Sequence, residues 1–103
     1  MSWLRISASE ALTLLAQDDA TVFDVRDSAA YQAGHLAKAA NLAMERIPAW
    51  SKRLNKDAPV LVYCYHGNSS QEYAQMLADF RFNRVYSVDG GFAALLDAGA
   101  ALA

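Results

Sequence analysis

Pro59-Val60-Leu61-Val62-Tyr63-Cys64, followed at once by Tyr65-His66-Gly67-Asn68-Ser69-Ser70, is the stretch that decides the fold. Its first half is nearly all apolar. That is the pattern of a strand at the centre of a parallel sheet, covered on both faces. Its second half turns polar without transition and contains a glycine, so it reads as a loop. From Ser70 to Phe80 the spacing is helical, with Tyr73, Ala74, Met76, Leu77 and Phe80 able to face a core. Strand, loop and helix in that order form the repeating piece of an α/β domain.

The same alternation extends in both directions. Upstream, Trp3–Ile6 is a short extended start. Ser7 or Ser9 can cap a helix over Glu10–Ala16. Thr21–Val25 is a β-branched and aromatic run, read as a buried strand. Asp27 and Ser28 open a turn region with a helical turn through Tyr31. Gly34-His35-Leu36 breaks it, and Ala40–Leu42 reads as another short strand. Glu45–Leu54 reads as one helix with Pro48 in its first turn. Downstream, Arg84–Val88 is a strand, Asp89-Gly90-Gly91 a turn, and Phe92–Asp97 a last helix. The expectation is one α/β domain over residues 1–103 with a mainly parallel sheet.

Composition narrows the function classes. Hydrophobic residues make up 54% and charged residues 19% of 103, a globular balance. Nine Lys and Arg against eleven Asp and Glu give a net charge of -2. That leaves no basic footprint for nucleic acid and no polybasic patch for a membrane. No apolar run approaches the ~20 residues of a membrane span. The first ten residues, broken by Arg5 and Glu10, do not read as a secretory signal. One cysteine allows no internal disulfide, and with two histidines it makes no zinc set. A lone thiol suits a reducing compartment, so a cytoplasmic location is expected.

That cysteine carries the chemistry by its position. Ligands of open α/β sheets bind beyond the carboxyl ends of the strands. A tight loop entering a helix presents unpaired N–H groups and partial positive charge to an anion. Both effects favour a Cys64 thiolate and lower its pKa. Gly67 supplies backbone angles closed to other residues. Ser69 and Ser70 can cap the helix or donate hydroxyl bonds inward. The plain alternative is that Cys64 is a small buried hydrophobe, as free cysteines often are. A purely structural connection, however, has no need of so many polar groups beside a thiol.

At this loop the chain resembles the rhodanese family, in particular the short, single-domain thiosulfate sulfurtransferases linked to bacterial glycerol metabolism. Cys64–Ser70 is similar to that subgroup's active loop. Phe23-Asp24-Val25-Arg26-Asp27, with Tyr31, Gly34-His35 and Ala39-Ala40-Asn41, resembles the family's N-terminal signature. Val85–Phe92 resembles its C-terminal one. One departure is Ala94-Leu95, where the family often has an aromatic residue. The resemblance implies a rhodanese-like domain: a central, mainly parallel five-stranded sheet with helices on both faces. It implies sulfur transfer from thiosulfate through a persulfide on Cys64, releasing sulfite, with Tyr65, His66, Gly67, Asn68, Ser69 and Ser70 holding the substrate. The acceptor would be cyanide or a thiol such as that of thioredoxin. No cofactor or metal is expected, and the state expected is a monomer or weak homodimer.

The remaining residues have two readings each. His66 is a local base or a solvent-facing ring. Asn68, Ser69 and Ser70 contact thiosulfate or brace the loop. Asp24 and Arg26 read as an ion pair at the strand end, His35 as a structural histidine, and Asp89 as a turn former or helix cap. Among rival functions, a cysteine phosphatase needs Arg six positions after the cysteine, where this chain has Ser70. A sulfur-carrier module fed by a protein donor would keep Cys64 but turn over thiosulfate slowly. A non-catalytic scaffold would have no use for the cysteine.

Overall fold

A computed structural model describes residues 3–17 and 19–103. Met1 and Ser2, which open the segment read above as no secretory signal, and Asp18 lie outside the described residues. Five strands form one sheet: β1 (Trp3–Ile6), β2 (Thr21–Asp24), β3 (Ala39–Asn41), β4 (Val60–Tyr63) and β5 (Val85–Val88). The order is β1-β5-β4-β2-β3, and all four pairings are parallel. The helices are α1 (Ala8–Leu15), α2 (Ser28–Ala33), α3 (Ile47–Ser51), α4 (Ser69–Asp79) and α5 (Gly91–Asp97).

Alternation along β4 splits the core in two. Val60, Val62 and Cys64 join Phe23, Ile47, Ala74, Leu77 and Phe82 beneath α3 and α4. Leu61 and Tyr63 join Ala11, Val22, Leu36, Val88 and Leu95 beneath α1, α2 and α5. A strand buried on both faces is what an unbroken apolar run encodes. The helix after β2 therefore lies on one face and the helix after β4 on the other. Between these neighbouring strands the winding reverses, which opens a crevice at their carboxyl ends.

Local signals explain most boundaries. Ser7, not Ser9, caps α1. Its hydroxyl accepts from the Glu10 amide at 3.1 Å while the Glu10 carboxylate accepts from the Ser7 amide at 2.9 Å. Asp27 caps α2 through the Ala30 amide at 2.9 Å. The single helix expected over Glu45–Leu54 is instead a 3₁₀ turn, Met44–Arg46, followed by the five-residue α3. Pro48 explains the break. It has no N–H to continue a ladder from the preceding turn, although Ile47 before it stays helical (φ -57, ψ -44). The tail is docked: the Ala37 amide donates to Ala101 at 2.9 Å and the Ala103 amide to His35 at 3.0 Å.

Candidate active site

The loop from Cys64 to Asn68 leaves the carboxyl end of β4 and delivers α4 beside the Asp24–Arg26 end of β2. It curls around a sulfur atom. The amides of Gly67 and Ser70 donate to Cys64 Sγ at 3.2 and 3.3 Å. The Ser70 hydroxyl lies 3.4 Å from the same sulfur. Four further amides, those of Tyr65, His66, Asn68 and Ser69, find no acceptor among the described residues, so the loop keeps donors to spare for an anion. Cys64 is only 3% exposed, at the mouth of the core rather than on an open face.

Burial alone pushes the Cys64 thiol up. The Ser70 and Ser69 hydroxyls and the Ser70 and Gly67 amides outweigh it and bring the thiol down to about 7. The thiolate is therefore a major form near neutrality, which is what a nucleophile needs.

The curl is possible because of glycines. Gly67 has φ +94, and a Cβ there would lie 2.9 Å from the Gly90 nitrogen and 3.1 Å from the Val88 oxygen. Only a residue without Cβ lets the loop sit that low on the end of β5. From below, the Phe92 amide donates to the Cys64 carbonyl at 2.8 Å. From α4, the Gln71 side-chain amide donates to the Gly67 carbonyl at 2.8 Å.

The structure separates the loop residues by role. Ser70 is buried and turned inward, and it does not cap the helix. Neither does Ser69, because α4 already starts at that residue, and Asn68 at the cap position makes no side-chain cap bond. Asn68, Ser69, His66 and Tyr65 are exposed at the rim. His66 makes no hydrogen bond to the sulfur; its ring lies 6.3 Å from that of Tyr65.

Asp24 and Arg26 form a buried ion pair with Arg26 Nη2 2.7 Å from Asp24 Oδ2. Arg26 also donates to the Gly34 carbonyl at 2.6 Å and lies 3.9 Å over the Phe92 ring. His35 is structural, with Nδ1 2.7 Å from the Tyr31 carbonyl and its ring stacked on Tyr31. Asp89 is no cap; it pairs with Arg5 at 2.8 Å, and Gly90 in the left-handed region takes the cap position.

Two contacts went unread in the sequence. The Tyr65 hydroxyl donates to Asp27 Oδ2 at 3.0 Å, tying the loop's rim to the start of α2. The Ser87 hydroxyl, on β5, lies 2.8 Å from that of Ser70. The only available signal was a lone serine in Val85-Tyr86-Ser87-Val88, and nothing local says what it faces.

The family model for the rhodanese-like domain matches residues 7–98. The chain belongs to the rhodanese family. Two relatives carry the name thiosulfate sulfurtransferase GlpE. The one from Coxiella burnetii (strain RSA 331 / Henzerling II) is 45% identical over 92 residues, 89% of this chain and 86% of the relative. The one from Pseudomonas putida (strain GB-1) is 48% identical over 88 residues, 85% of this chain and 80% of the relative. Among solved structures, a crystal structure of a rhodanese-like protein from Anabaena sp. superposes with a TM-score of 0.84 at 25% identity. It covers 95% of this chain and 81% of that one. The five-stranded rhodanese sheet with helices on both faces is thus the fold expected from the motifs, and here the sheet is wholly parallel.

Proposed function

We propose that this rhodanese is a thiosulfate sulfurtransferase that carries sulfur on Cys64 as a persulfide. One observation carries the reading: two main-chain amides and a hydroxyl converge on a lone sulfur at the carboxyl end of the central strand. The name shared by the relatives supports it.

In the first step the Cys64 thiolate attacks the outer sulfur of thiosulfate. A new S–S bond forms on Cys64 and the old one breaks, its electron pair leaving with sulfite. The product is a persulfide whose negative charge sits on the outer sulfur. In the second step cyanide, or the thiolate of an acceptor such as thioredoxin, attacks that outer sulfur. Thiocyanate or an acceptor persulfide leaves, and the electron pair of the Cys64–sulfur bond returns to Cys64 as thiolate. No proton or electron is needed from elsewhere.

The free amides of the loop suit the outer sulfur and the sulfite oxygens, with Tyr65, His66, Gly67, Asn68, Ser69 and Ser70 forming the substrate cradle. Asn68 at the rim suits oxygen atoms, and Gly67, Ser69 and Ser70 suit sulfur. A reducing, cytoplasmic setting would keep the thiol ready between turnovers.

Intact-mass measurement tests this. Wild type treated with thiosulfate is expected to gain one sulfur atom, lost again on adding cyanide or dithiothreitol, and Cys64→Ser is expected to gain none. Full thiosulfate:cyanide activity in Cys64→Ser would sink the reading.

A further inference from the structure

We propose that Ser87 is a positioning residue: its buried hydroxyl holds that of Ser70 so that the Ser70 hydrogen points at Cys64 Sγ whenever that sulfur carries negative charge. The catalytic consequence rests on the sulfurtransferase reading above; the geometry does not.

Ser87 and Ser70 are both fully buried. Ser87 pairs in register with Val62 and sits between core valines on β5. A serine placed there needs a partner. Among the described residues its hydroxyl has one, Ser70 Oγ at 2.8 Å, and Ser70 Oγ in turn lies 3.4 Å from Cys64 Sγ. The result is a chain of two hydroxyls, closed at the β5 end and ending on sulfur.

The direction of that chain follows from donor and acceptor capacity. A thiolate only accepts, so Ser70 must donate to it, and Ser70 Oγ then accepts from Ser87. Every hydrogen has an acceptor. In the reverse direction the thiol donates to Ser70 and Ser70 to Ser87, and the Ser87 hydrogen is left buried with nothing to bond. The closed end therefore favours charge at the sulfur, and each hydroxyl polarises the next. Sγ carries that charge twice per cycle, before it attacks thiosulfate and when it leaves as the acceptor takes the outer sulfur.

No ionisable group competes for this position. On the loop, Tyr65 and His66 are exposed; at the end of β2 and just beyond it, Asp24 and Arg26 bond each other. On α4, Glu72 is exposed and Tyr73 half-buried; Glu45 and Arg46 of the 3₁₀ turn are exposed. Asp89, after β5, is bonded to Arg5. None of them hydrogen-bonds to Cys64 Sγ.

The test is the pH midpoint of Cys64 alkylation by iodoacetamide, measured beside kcat and KM for thiosulfate:cyanide transfer. Ser87→Ala is expected to move the midpoint upward by about half a unit. At neutral pH, where the wild-type thiol is about half ionised, that shift should lower kcat about twofold, with KM for thiosulfate little changed. In a Ser70→Ala background, Ser87→Ala should add nothing, because the link is already gone. Ser87→Thr, which keeps the hydroxyl, should retain the wild-type midpoint.

An unshifted midpoint in folded Ser87→Ala overturns the proposal, and so does an equal shift in the Ser70→Ala background. A folded Ser87→Thr that titrates like Ser70→Ala overturns it as well, whether or not the alanine variant folds. If wild type forms no persulfide from thiosulfate, the functional reading falls, while the midpoint series still decides the role of Ser87.

Discussion

Gly91 lies against the backbone of Tyr65 so closely that a Cβ on it would sit 2.6 Å from both the carbon and the oxygen of that carbonyl. Its φ is +61, in the left-handed region. The turn after β5 thus forms a floor under the loop that curls around Cys64, and the floor has no room for a side chain.

Gly91→Ala is expected to cost about 2 kcal/mol or more, from backbone strain together with the clash. Transfer activity should fall further than stability alone accounts for, because the loop must lift. Gly34→Ala is the control. Gly34 is extended and a Cβ there meets nothing within 4 Å, so a change within about 0.5 kcal/mol is expected. Thermal melts beside assays at a temperature where both variants are folded check the pair.

Cys64 alkylation should have its midpoint near 7, well below a free thiol. Stability should follow the same titration. The folded state holds the thiolate better than the unfolded chain does, so the contribution is complete above the unfolded value. It is lost as pH falls through about 7. Urea midpoints compared between wild type and Cys64→Ala should therefore diverge from pH 7 to pH 9, wild type gaining. Parallel curves would contradict the sulfur's anionic preference.

Breaking the ion pair at the end of β2 should be costly. Asp24 is 0% and Arg26 7% exposed, so Arg26→Ala leaves a buried carboxylate without its partner. A loss of about 3–5 kcal/mol is expected. Arg26→Lys should rescue little, because an ammonium cannot reproduce the fork that holds Asp24 and Gly34 above the Phe92 ring. Denaturant melts of the two variants read this directly.

Ser7→Ala removes the reciprocal cap of α1 and should cost about 1 kcal/mol. The cap lies on the opposite face of the sheet from Cys64's cluster, so kcat is expected to hold. A drop in kcat in the folded variant would show coupling between the two faces that the packing gives no reason for.

How much of this was legible beforehand depends on how far apart the interacting residues lie. The β4 strand and its loop were readable because the change from apolar to polar occurs within two residues, at Cys64 and Tyr65. The parallel sheet was readable because strand and helix patterns alternate from end to end. Ser7 was one of two candidate caps, and only coordinates distinguish them. The helix expected over Glu45–Leu54 was over-read, since side-chain spacing there ignores the backbone cost of Pro48. Ser70 was open between capping and pointing inward. What decides it is Ser87, seventeen residues later, and no local pattern carries that information. Asp89 lies in the expected turn, but that its carboxylate pairs with Arg5 instead of capping the helix was unreadable for the same reason, the partner lying 84 positions away.

Along β4 the side chains take turns, and Cys64 shares its side of the sheet with Val60 and Val62. The position of this cysteine is thus a matter of counting. One residue inserted into the strand would swing the sulfur across to the company of Leu61 and Tyr63, away from α4 and its amides. Two inserted residues would restore the facing, though at a different height. In this domain the even spacing of a plain apolar strand is as much a requirement of the proposed chemistry as the thiol itself.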